Sequence, residues 1–293
     1  MWVLLAVISA IFSGLTAILA KCGIKKTDAT VATAIRTVII LIFSWIMVFL
    51  ANSQNTIHAL SIRAWIFLIF SGCATGISWI CYFKALQLGD INKVVPIDKS
   101  STVLSILFAV IVFDEYFSYL TAGAVILIAV GTIMMVQKTA TVKKAVQNKI
   151  WLIYAVLSAV FAALTSILAK IGITDIEANL GTAIRTTIVL IMAWGIVFTT
   201  KKLEKVQQIP FKEFVFICLS GIATGISWIC YFKALQIGPA SIVVPIDKLS
   251  ILITILFSYI VFKEKLSLKA GLGLFFIILG TFLMICAAHF VYI

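Results

Sequence analysis

Six ionisable residues lie more than one helical turn inside long apolar stretches of this sequence, where charged side chains are unusual. They form three pairs in which a residue recurs 149 positions later: Arg36 and Arg185, Asp98 and Asp247, and Lys99 and Lys248. If these stretches cross a membrane, each charge costs about 2.5–3.5 kcal/mol even on a lenient scale, so it is normally paired or faces water. We predict that these residues line a substrate cavity or its gates. Pro96 and Pro245 precede the aspartates and permit either a static bend or a hinge.

Asp98 and Lys99 are adjacent, so on a helix they point about 100° apart and cannot pair well with each other. We expect Asp98 to meet Arg36, or Lys84 near the membrane surface. Such an ion pair would either hold two helices together permanently or break when a substrate or a proton arrives.

Polar residues of the stretch 64–86, and of its copy 149 positions later, fall on one helical face. Their spacing is i, i+4, i+7, i+11: Ser71, Thr75, Ser78 and Tyr82 in the stretch, and Ser220, Thr224, Ser227 and Tyr231 in the copy. Small residues and tryptophans occupy the adjoining face: Gly72, Gly76, Trp79, and the copy Trp228. We predict substrate contacts from Ser78, Trp79, Tyr82, Ser227, Trp228 and Tyr231. Alternatively the glycines mark close helix packing, the hydroxyls bond back to their own helix, and the aromatic residues pack or lie in the membrane interface.

The composition is that of a membrane protein. Of the 293 residues 63% are hydrophobic and 12% charged, whereas soluble domains are about 45–50% apolar and about 25% charged. The net charge of +12 therefore does not indicate nucleic-acid binding, because no polar domain carries it. The six cysteines form no C-x-x-C pair, and the two histidines are isolated. No catalytic motif occurs, so we predict neither an enzyme nor a cofactor or metal site.

The chain is an internal repeat without gaps. Residues 2–144 match 151–293, for example ATGISWICYFKALQ at 74 and again at 223, and VVPIDK at 94 and 243. We expect two five-helix repeats at 1–142 and 150–293, joined by a basic linker at 143–149. The apolar stretches of the first repeat are approximately 2–22, 29–51, 64–86, 91–113 and 118–137, each about the 20 residues that a spanning helix needs.

Five spans are an odd number, so the second repeat must begin on the other side of the membrane. We therefore predict an all-α integral membrane fold of ten transmembrane helices, arranged as two inverted-topology repeats around a central cavity. The first four spans of each repeat carry polar stripes and would line that cavity. The fifth and tenth spans would pack outside it.

Thirteen lysines have no basic counterpart in the other repeat, and all thirteen fall in odd-numbered connections or at their edges. They are Lys25, Lys26, Lys93, Lys138, Lys143, Lys144, Lys149, Lys201, Lys202, Lys205, Lys263, Lys265 and Lys269. By the positive-inside rule these connections are cytoplasmic, which places both termini outside.

The sequence resembles the drug/metabolite transporter superfamily, with two tandem EamA-type repeats. The resemblance is carried by Lys21-x-Gly23, Arg36, the YFKAL end of the third span, the Pro96 segment, and FDE at 113–115 with its copy FKE at 262–264. It implies export of amino acids, other metabolites or drugs, or exchange of nucleotide sugars and organic phosphates. It also implies both termini in the cytoplasm, in conflict with the lysine distribution.

Our leading prediction is an alternating-access secondary transporter in the cell membrane. The deep charges number four positive against two negative, which favours an anionic or zwitterionic solute such as an amino acid, moved outward. The alternatives are efflux of cationic or lipophilic compounds, bound by Asp98, Asp247 and the aromatic faces, and a membrane scaffold without transport. The expected partners are a small-molecule substrate, the lipid bilayer and, as an open option, a coupling proton; we expect no nucleic acid, and a monomer or homodimer.

The topology can be tested with a reporter enzyme that is active only outside the cytoplasm. Fused after Ile293, it is expected to be active, and inserted in the linker 143–149 it is expected to be inactive. A reporter after Ile293 that works only in the cytoplasm would contradict the topology drawn from the lysines.

Overall fold

The computed structural model describes residues 1–24, 26–88, 94, 97–115, 117–135, 150–262 and 267–292, and in these ranges it is helical without a strand. The helices of the first repeat are α1 (Trp2–Gly23), α2 (Ala29–Leu50), α3 (Ile62–Leu88), α4 (Ser101–Phe113) and α5 (Tyr119–Met135). Those of the second are α6 (Ile150–Gly172), α7 (Ala178–Thr199), α8 (Phe211–Ile237), α9 (Ala240–Lys248), α10 (Ser250–Phe262) and α11 (Leu268–Tyr292). Two short 3-10 segments, Ser53–Ala59 and Leu203–Val206, lie in connections.

Eight stretches of the described helices are long and apolar enough to cross a membrane. They lie in α1, α2, α3, α6, α7, α8 and α11, and in α9 with α10 taken together as Ala240–Phe257. Helix α5 is apolar but shorter, at Tyr119–Met134. The expected span 91–113 falls partly outside the described residues, which include only its α4 portion and a few residues before it.

The two repeats pack crosswise. Helix α1 of the first repeat lies along α8 of the second, and α3 of the first lies along α6 of the second. Helix α2 packs against α7 and α8, while α5 packs chiefly against α11. One buried apolar cluster accordingly takes residues from both repeats, among them Ala6, Val48, Leu68, Ile167 and Leu235. The core therefore belongs to the pair of repeats and not to either one.

Glycines allow the helices of opposite repeats to approach closely. A Cβ atom on Gly72 in α3 would lie 2.6 Å from Ile188 Cβ and 2.9 Å from the carbonyl oxygen of Arg185. The copy on α8 would lie equally close to α2, because a Cβ atom on Gly221 would be 2.7 Å from Ile39 Cβ. The interpretation of these glycines as packing residues is confirmed.

One end of the bundle is held by two carboxylates, and we call it the Asp28 end. Glu213, near the start of α8, accepts hydrogen bonds from the Thr27 amide at 2.9 Å and the Thr27 hydroxyl at 2.6 Å. Asp28 caps α2 through the Thr30 amide and lies 2.9 Å from Lys202 Nζ. Partial burial alone would raise the pKa of Asp28, but the hydrogen bonds from Lys202 and Thr30 and the charge of Lys202 lower that pKa to about 2. The carboxylate therefore stays charged at neutral pH and joins the two repeats.

The opposite end, which we call the Glu115 end, is held by a buried carboxylate. Glu115 Oε1 accepts hydrogen bonds from Lys170 Nζ at 2.9 Å and from the Ala240 amide at 2.7 Å. Its Oε2 accepts from the Ser241 amide at 2.8 Å. Lys170 also donates to the carbonyl oxygen of Gly238 at 2.8 Å. This carboxylate thereby caps the first turn of α9 and connects the ends of both repeats.

Replacing Gly72 with alanine is expected to lower the free energy of unfolding by about 1–3 kcal/mol, because the new methyl group would meet backbone as well as side chain. Gly195→Ala in α7 is the matched control, since nothing lies within 4 Å of its added Cβ. That variant is expected to keep or slightly raise stability. Chemical denaturation in detergent micelles measures both variants, and equal stabilities would contradict the packing described.

Glu115→Gln is expected to destabilise the protein by about 2–3 kcal/mol, because Lys170 would lose its buried counter-charge. Lys170→Met in the same background is expected to restore part of the loss, with a coupling of about 1–2 kcal/mol between the two sites. A double-mutant cycle in micelles gives this coupling. Strictly additive effects would show that the two side chains do not act together.

Candidate functional site

The polar stripes of α3 and α8 bond to the first helix of the opposite repeat. Ser71 Oγ donates to the carbonyl oxygen of Thr165 at 2.7 Å, and the hydroxyls of Thr75 and Thr165 are 3.2 Å apart. The same arrangement recurs at Ser220, Thr224 and Thr16. These hydroxyls therefore join helices across the two repeats, in addition to the bond that Thr75 makes back to its own helix.

Each aspartate of the fourth span belongs to a serine cluster that crosses the repeats. Ser9 Oγ donates to Asp247 Oδ1 at 2.7 Å, and Ser227 Oγ donates to the carbonyl oxygen of Ser9 at 3.0 Å. The mirrored cluster has the same two bonds, Ser158 Oγ to Asp98 Oδ1 at 2.7 Å and Ser78 Oγ to Ser158 O at 3.0 Å. Ser78 and Ser227, predicted as substrate contacts, are buried in these clusters.

The expected ion pair of Asp98 is wrong. Among the described residues Asp98 pairs with neither Arg36 nor Lys84, and its carboxylate accepts the Ser158 hydroxyl instead. The reason is the crosswise packing, which brings this part of the first repeat against α6 of the second. Helical periodicity within one repeat predicts which face a residue occupies but not which helix covers it.

The fourth span of the second repeat is discontinuous next to Asp247 and Lys248. Helix α9 contains Pro245 and ends at Lys248, and α10 begins at Ser250 after a turn closed by the Leu249 amide and the carbonyl oxygen of Ile246 at 3.0 Å. The first repeat shows a corresponding turn, in which the Ser100 amide donates to the carbonyl oxygen of Ile97 at 3.1 Å. Pro96 lies outside the described residues. The break in the helix therefore falls three to four residues after Pro245.

Lys99 and Lys248, the lysines at these breaks, are exposed. Lys248 Nζ lies 3.9 Å from Asp247 Oδ2, a loose contact, and 48% of the Lys248 side chain is exposed. Lys99 is also exposed and directly follows Asp98 in the chain. Each break thus carries an aspartate and an exposed lysine.

Arg185 is enclosed by residues of both repeats and is only 1% exposed. Its Nε donates to Ser71 Oγ at 3.3 Å and its Nη2 to Thr75 Oγ1 at 3.0 Å. The guanidinium carbon lies 4.2 Å from the ring centroid of Phe232 and 5.1 Å from that of Trp228. Nη1 is buried without a hydrogen-bond partner. The positive charge is therefore held by neutral hydroxyls and aromatic faces, and no carboxylate of the described residues pairs with it.

Tyr231, next to the Phe232 ring that contacts Arg185, makes a further hydrogen bond between the helices. Its hydroxyl lies 2.8 Å from Ser166 Oγ of α6, and its ring packs edge-on against Phe232 at 5.1 Å. The residue that corresponds to Ser166 in the first repeat is Ala17, which has no hydroxyl. The first repeat therefore has no side-chain hydroxyl at position 17.

Arg36 is placed differently from its copy Arg185. It retains partial exposure, and its Nε is buried without a hydrogen-bond partner. In the part of the chain that the structure describes, it donates to neither Ser220 nor Thr224 and does not stack on Trp79. The same residue in the same sequence setting thus occupies two environments.

The structure places the predicted residues in several groups rather than one. It joins Asp98 with Ser78, Asp247 with Ser227, and Arg185 with Trp228. The sequence prediction placed Ser9 and Ser158 on polar stripes that face the cavity but did not name them as site residues, and it did not single out Phe232 or Ser166. No group of three or more His, Cys, Asp or Glu within the described ranges could hold a metal ion.

Comparisons with known proteins agree with this architecture. The family model described as the EamA-like transporter family matches residues 1–137 and again 149–286. A protein described as an uncharacterized transporter in the cobO 3'region, from Sinorhizobium sp., is 43% identical over 134 residues, which are 46% of this chain and 95% of that protein. A crystal structure aligns over 97% of this chain and 96% of its own with a TM-score of 0.77 at 17% identity, a likeness of fold alone.

Two family matches cover nearly the whole chain, one for each repeat. The helices are those of a multi-pass membrane protein, and their bonds run between the two matched segments. This chain belongs to the EamA-like transporter family.

Proposed function

We propose that this chain is an alternating-access secondary transporter that moves a small anionic or zwitterionic solute, such as an amino acid or a related compound, outward across the cell membrane. The observation that carries the solute class is the fully buried Arg185, whose guanidinium has no carboxylate partner among the described residues. Membership of a transporter family supports the transport activity itself.

A buried charge without a counter-charge is costly, and an unmatched one is retained where it serves function. Arg185 is such a charge, and half-buried Arg36 likewise has no carboxylate partner among the described residues, while Asp98 and Asp247 each accept a serine hydroxyl. The negative group of a solute would supply the counter-charge that these arginines lack among the described residues. A positive interior also raises the local concentration of anions.

The bundle contacts support an inverted arrangement of ten spans. The first and seventh connections meet through Asp28 and Lys202, at one end of the bundle. The fourth and eighth connections meet at the other end, through Glu115 and Ala240. These groupings are expected if each repeat crosses five times and the second begins on the opposite side. Within this proposal the repeats are 1–142 and 150–293, the linker 143–149 and the other basic connections are cytoplasmic, and both termini are outside.

We place the solute near the breaks of the fourth spans, where Lys99 and Lys248 are exposed beside Asp98 and Asp247. Discontinuous helices near the midplane are typical binding sites in transporters built from repeats. Ser78, Ser227 and the aromatic residues Trp79, Trp228, Tyr82 and Tyr231 would support this site, and Pro96 and Pro245 would allow movement at the breaks. A proton remains a candidate coupling ion, and the carrier would act as a monomer or homodimer in the bilayer.

Efflux of a cationic compound is less well supported. Asp98 and Asp247 each accept a serine hydroxyl at 2.7 Å and are followed by Lys99 and Lys248, whose positive charges oppose the approach of a cation. The face of Trp228 is already occupied by the guanidinium of Arg185. A scaffold without transport gains no support from an arginine kept buried without a counter-charge.

Arg36→Gln and Arg185→Gln are expected to lower transport of the anionic or zwitterionic solute by about tenfold to a hundredfold, because a charge-assisted hydrogen bond is worth about 1.5–3 kcal/mol. The matched control is Arg63→Gln. Arg63 is the one other arginine of the sequence, and it is exposed at the start of α3. Asp98→Asn is expected to have the larger effect only if the solute is a cation.

The solute is identified first, from the rise in melting temperature of the purified protein across a metabolite panel. Transport is then measured in proteoliposomes, with the melting temperature of each variant as the check on folding. Unchanged transport of every anionic and zwitterionic candidate in both arginine variants would contradict the proposal.

A further inference from the structure

Lysines surround the two carboxylates of the Asp28 end. Lys202 Nζ and Lys205 Nζ lie 2.9 and 3.4 Å from Asp28 Oδ2, so the two lysines share one negative charge. Glu213 accepts a hydrogen bond from the Lys26 amide at 3.1 Å. We call the charged residues that lie here the basic cluster: Lys26, Lys201, Lys202, Lys205, Lys212, Asp28, Glu204 and Glu213. The cluster has a surplus of positive charge, and all of its lysines except Lys202 are exposed.

An exposed apolar stripe of α8 begins beside the basic cluster. Phe211, at the first position of α8, is 81% exposed. Phe214, Val215, Leu219 and Ile222 follow on the same helical face and are also exposed. In a membrane such a face meets acyl chains, and the lysines at its end lie at the level of the headgroups. We call this face the α8 stripe.

The first repeat has a similar stripe without the basic cluster. A Cβ atom on Gly172, at the end of α6, would lie 3.1 Å from the Leu68 amide nitrogen, so α3 begins at the Glu115 end. At the positions that correspond to the basic cluster, the charged residues are Arg63, Asp175 and Glu177, one basic group against two carboxylates. The α3 stripe consists of exposed apolar residues at the start of that helix: Ile62, Ile66, Ile69 and Phe70.

Lys201 has an unusual backbone conformation for a lysine. Its φ is 54°, in the left-handed region that asparagine adopts more readily than lysine. The corresponding residue of the first repeat is Asn52, with a φ of 52°. The two connections therefore turn in the same way, and the second has a lysine where the residue better suited to the turn would serve. The turn itself does not explain this lysine.

We propose that the basic cluster and the α8 stripe together bind an anionic phospholipid of the leaflet at the Asp28 end. The phosphate group lies among the exposed Lys201, Lys205 and Lys212, and an acyl chain lies along the α8 stripe. Lys202 remains with Asp28 and keeps the two repeats joined. This site is separate from the solute site and does not depend on the proposed transport function.

An anionic lipid matches both properties of this surface. Lysines near a membrane surface attract anionic headgroups, and the attraction falls off within a Debye length, about 8–10 Å at moderate salt. A zwitterionic headgroup has no net charge, so it offers the same apolar contacts to the α3 stripe and the α8 stripe without distinguishing the charges beside them. The charge of the headgroup is therefore the property to vary.

Photo-crosslinking compares the two stripes within one molecule. The full-length protein is reconstituted in phosphatidylcholine vesicles that hold, in both leaflets, a trace of phosphatidylglycerol or phosphatidylcholine with the same photoreactive acyl chain. Mass spectrometry locates the label on residues 62–73 and 211–222. The ratio of phosphatidylglycerol label to phosphatidylcholine label is expected to be about tenfold higher on the α8 stripe than on the α3 stripe. High salt is expected to reduce this difference.

A swap of residues between the two connections is the matched control. Lys201→Asn and Lys205→Thr place first-repeat residues in the second repeat, and Asn52→Lys and Thr56→Lys place the lysines in the first. The fourfold variant keeps the net charge of +12 and leaves Lys202 in place. The label ratio is expected to fall on the α8 stripe and to rise on the α3 stripe, by about threefold to tenfold each.

Equal label ratios on the two stripes of the unchanged protein would overturn the proposal. An excess on the α8 stripe that persists in the swapped variant would overturn it as well. The melting temperature of the variant checks its folding, and the comparison within the unchanged protein does not depend on that variant. No solute is involved, so the result is distinguishable from failure of the proposed function, which is judged by transport.

Discussion

The hydroxyl stripes on α3 and α8 hold this protein together across its two repeats. A hydroxyl in a membrane interior has no water to bond and must find a partner in the protein. Here Ser71 and Ser220 find it in the opposite repeat, on the carbonyl oxygens of Thr165 and Thr16. The crosswise pairing that results explains why the core is shared and why glycines are required where α3 and α8 meet the second helices.

The same pairing brings charged residues into settings that a single repeat could not provide. Arg185 of the second repeat uses two hydroxyls of the first, and Glu115 of the first repeat caps a helix of the second. Movement at one end must therefore rearrange contacts that belong to both repeats. Under the proposed function, such an arrangement would couple opening of one end to closing of the other, as alternating access requires.

Many features of the fold could be predicted from particular residues. The apolar stretches located most helices to within a few residues, for instance 29–51 against Ala29–Leu50. The spacing of Gly72 and Gly76 indicated close helix packing, and both glycines do lie against α7. The predicted ion-pair partner of Asp98 was wrong. The prediction considered only residues of the same repeat, whereas the carboxylate of Asp98 accepts a hydrogen bond from Ser158 of the other repeat.

The sequence by itself determined that this is a membrane protein, that it is a duplicated chain, and that its unusual charges recur at matched depth. These properties depend on composition and on spacing along one chain. Only the tertiary structure decided that Arg36 and Arg185 differ, since their sequence settings are nearly the same. The physical reason is that burial of a guanidinium depends on the separation of helices from different repeats, a distance that no pattern within the sequence records.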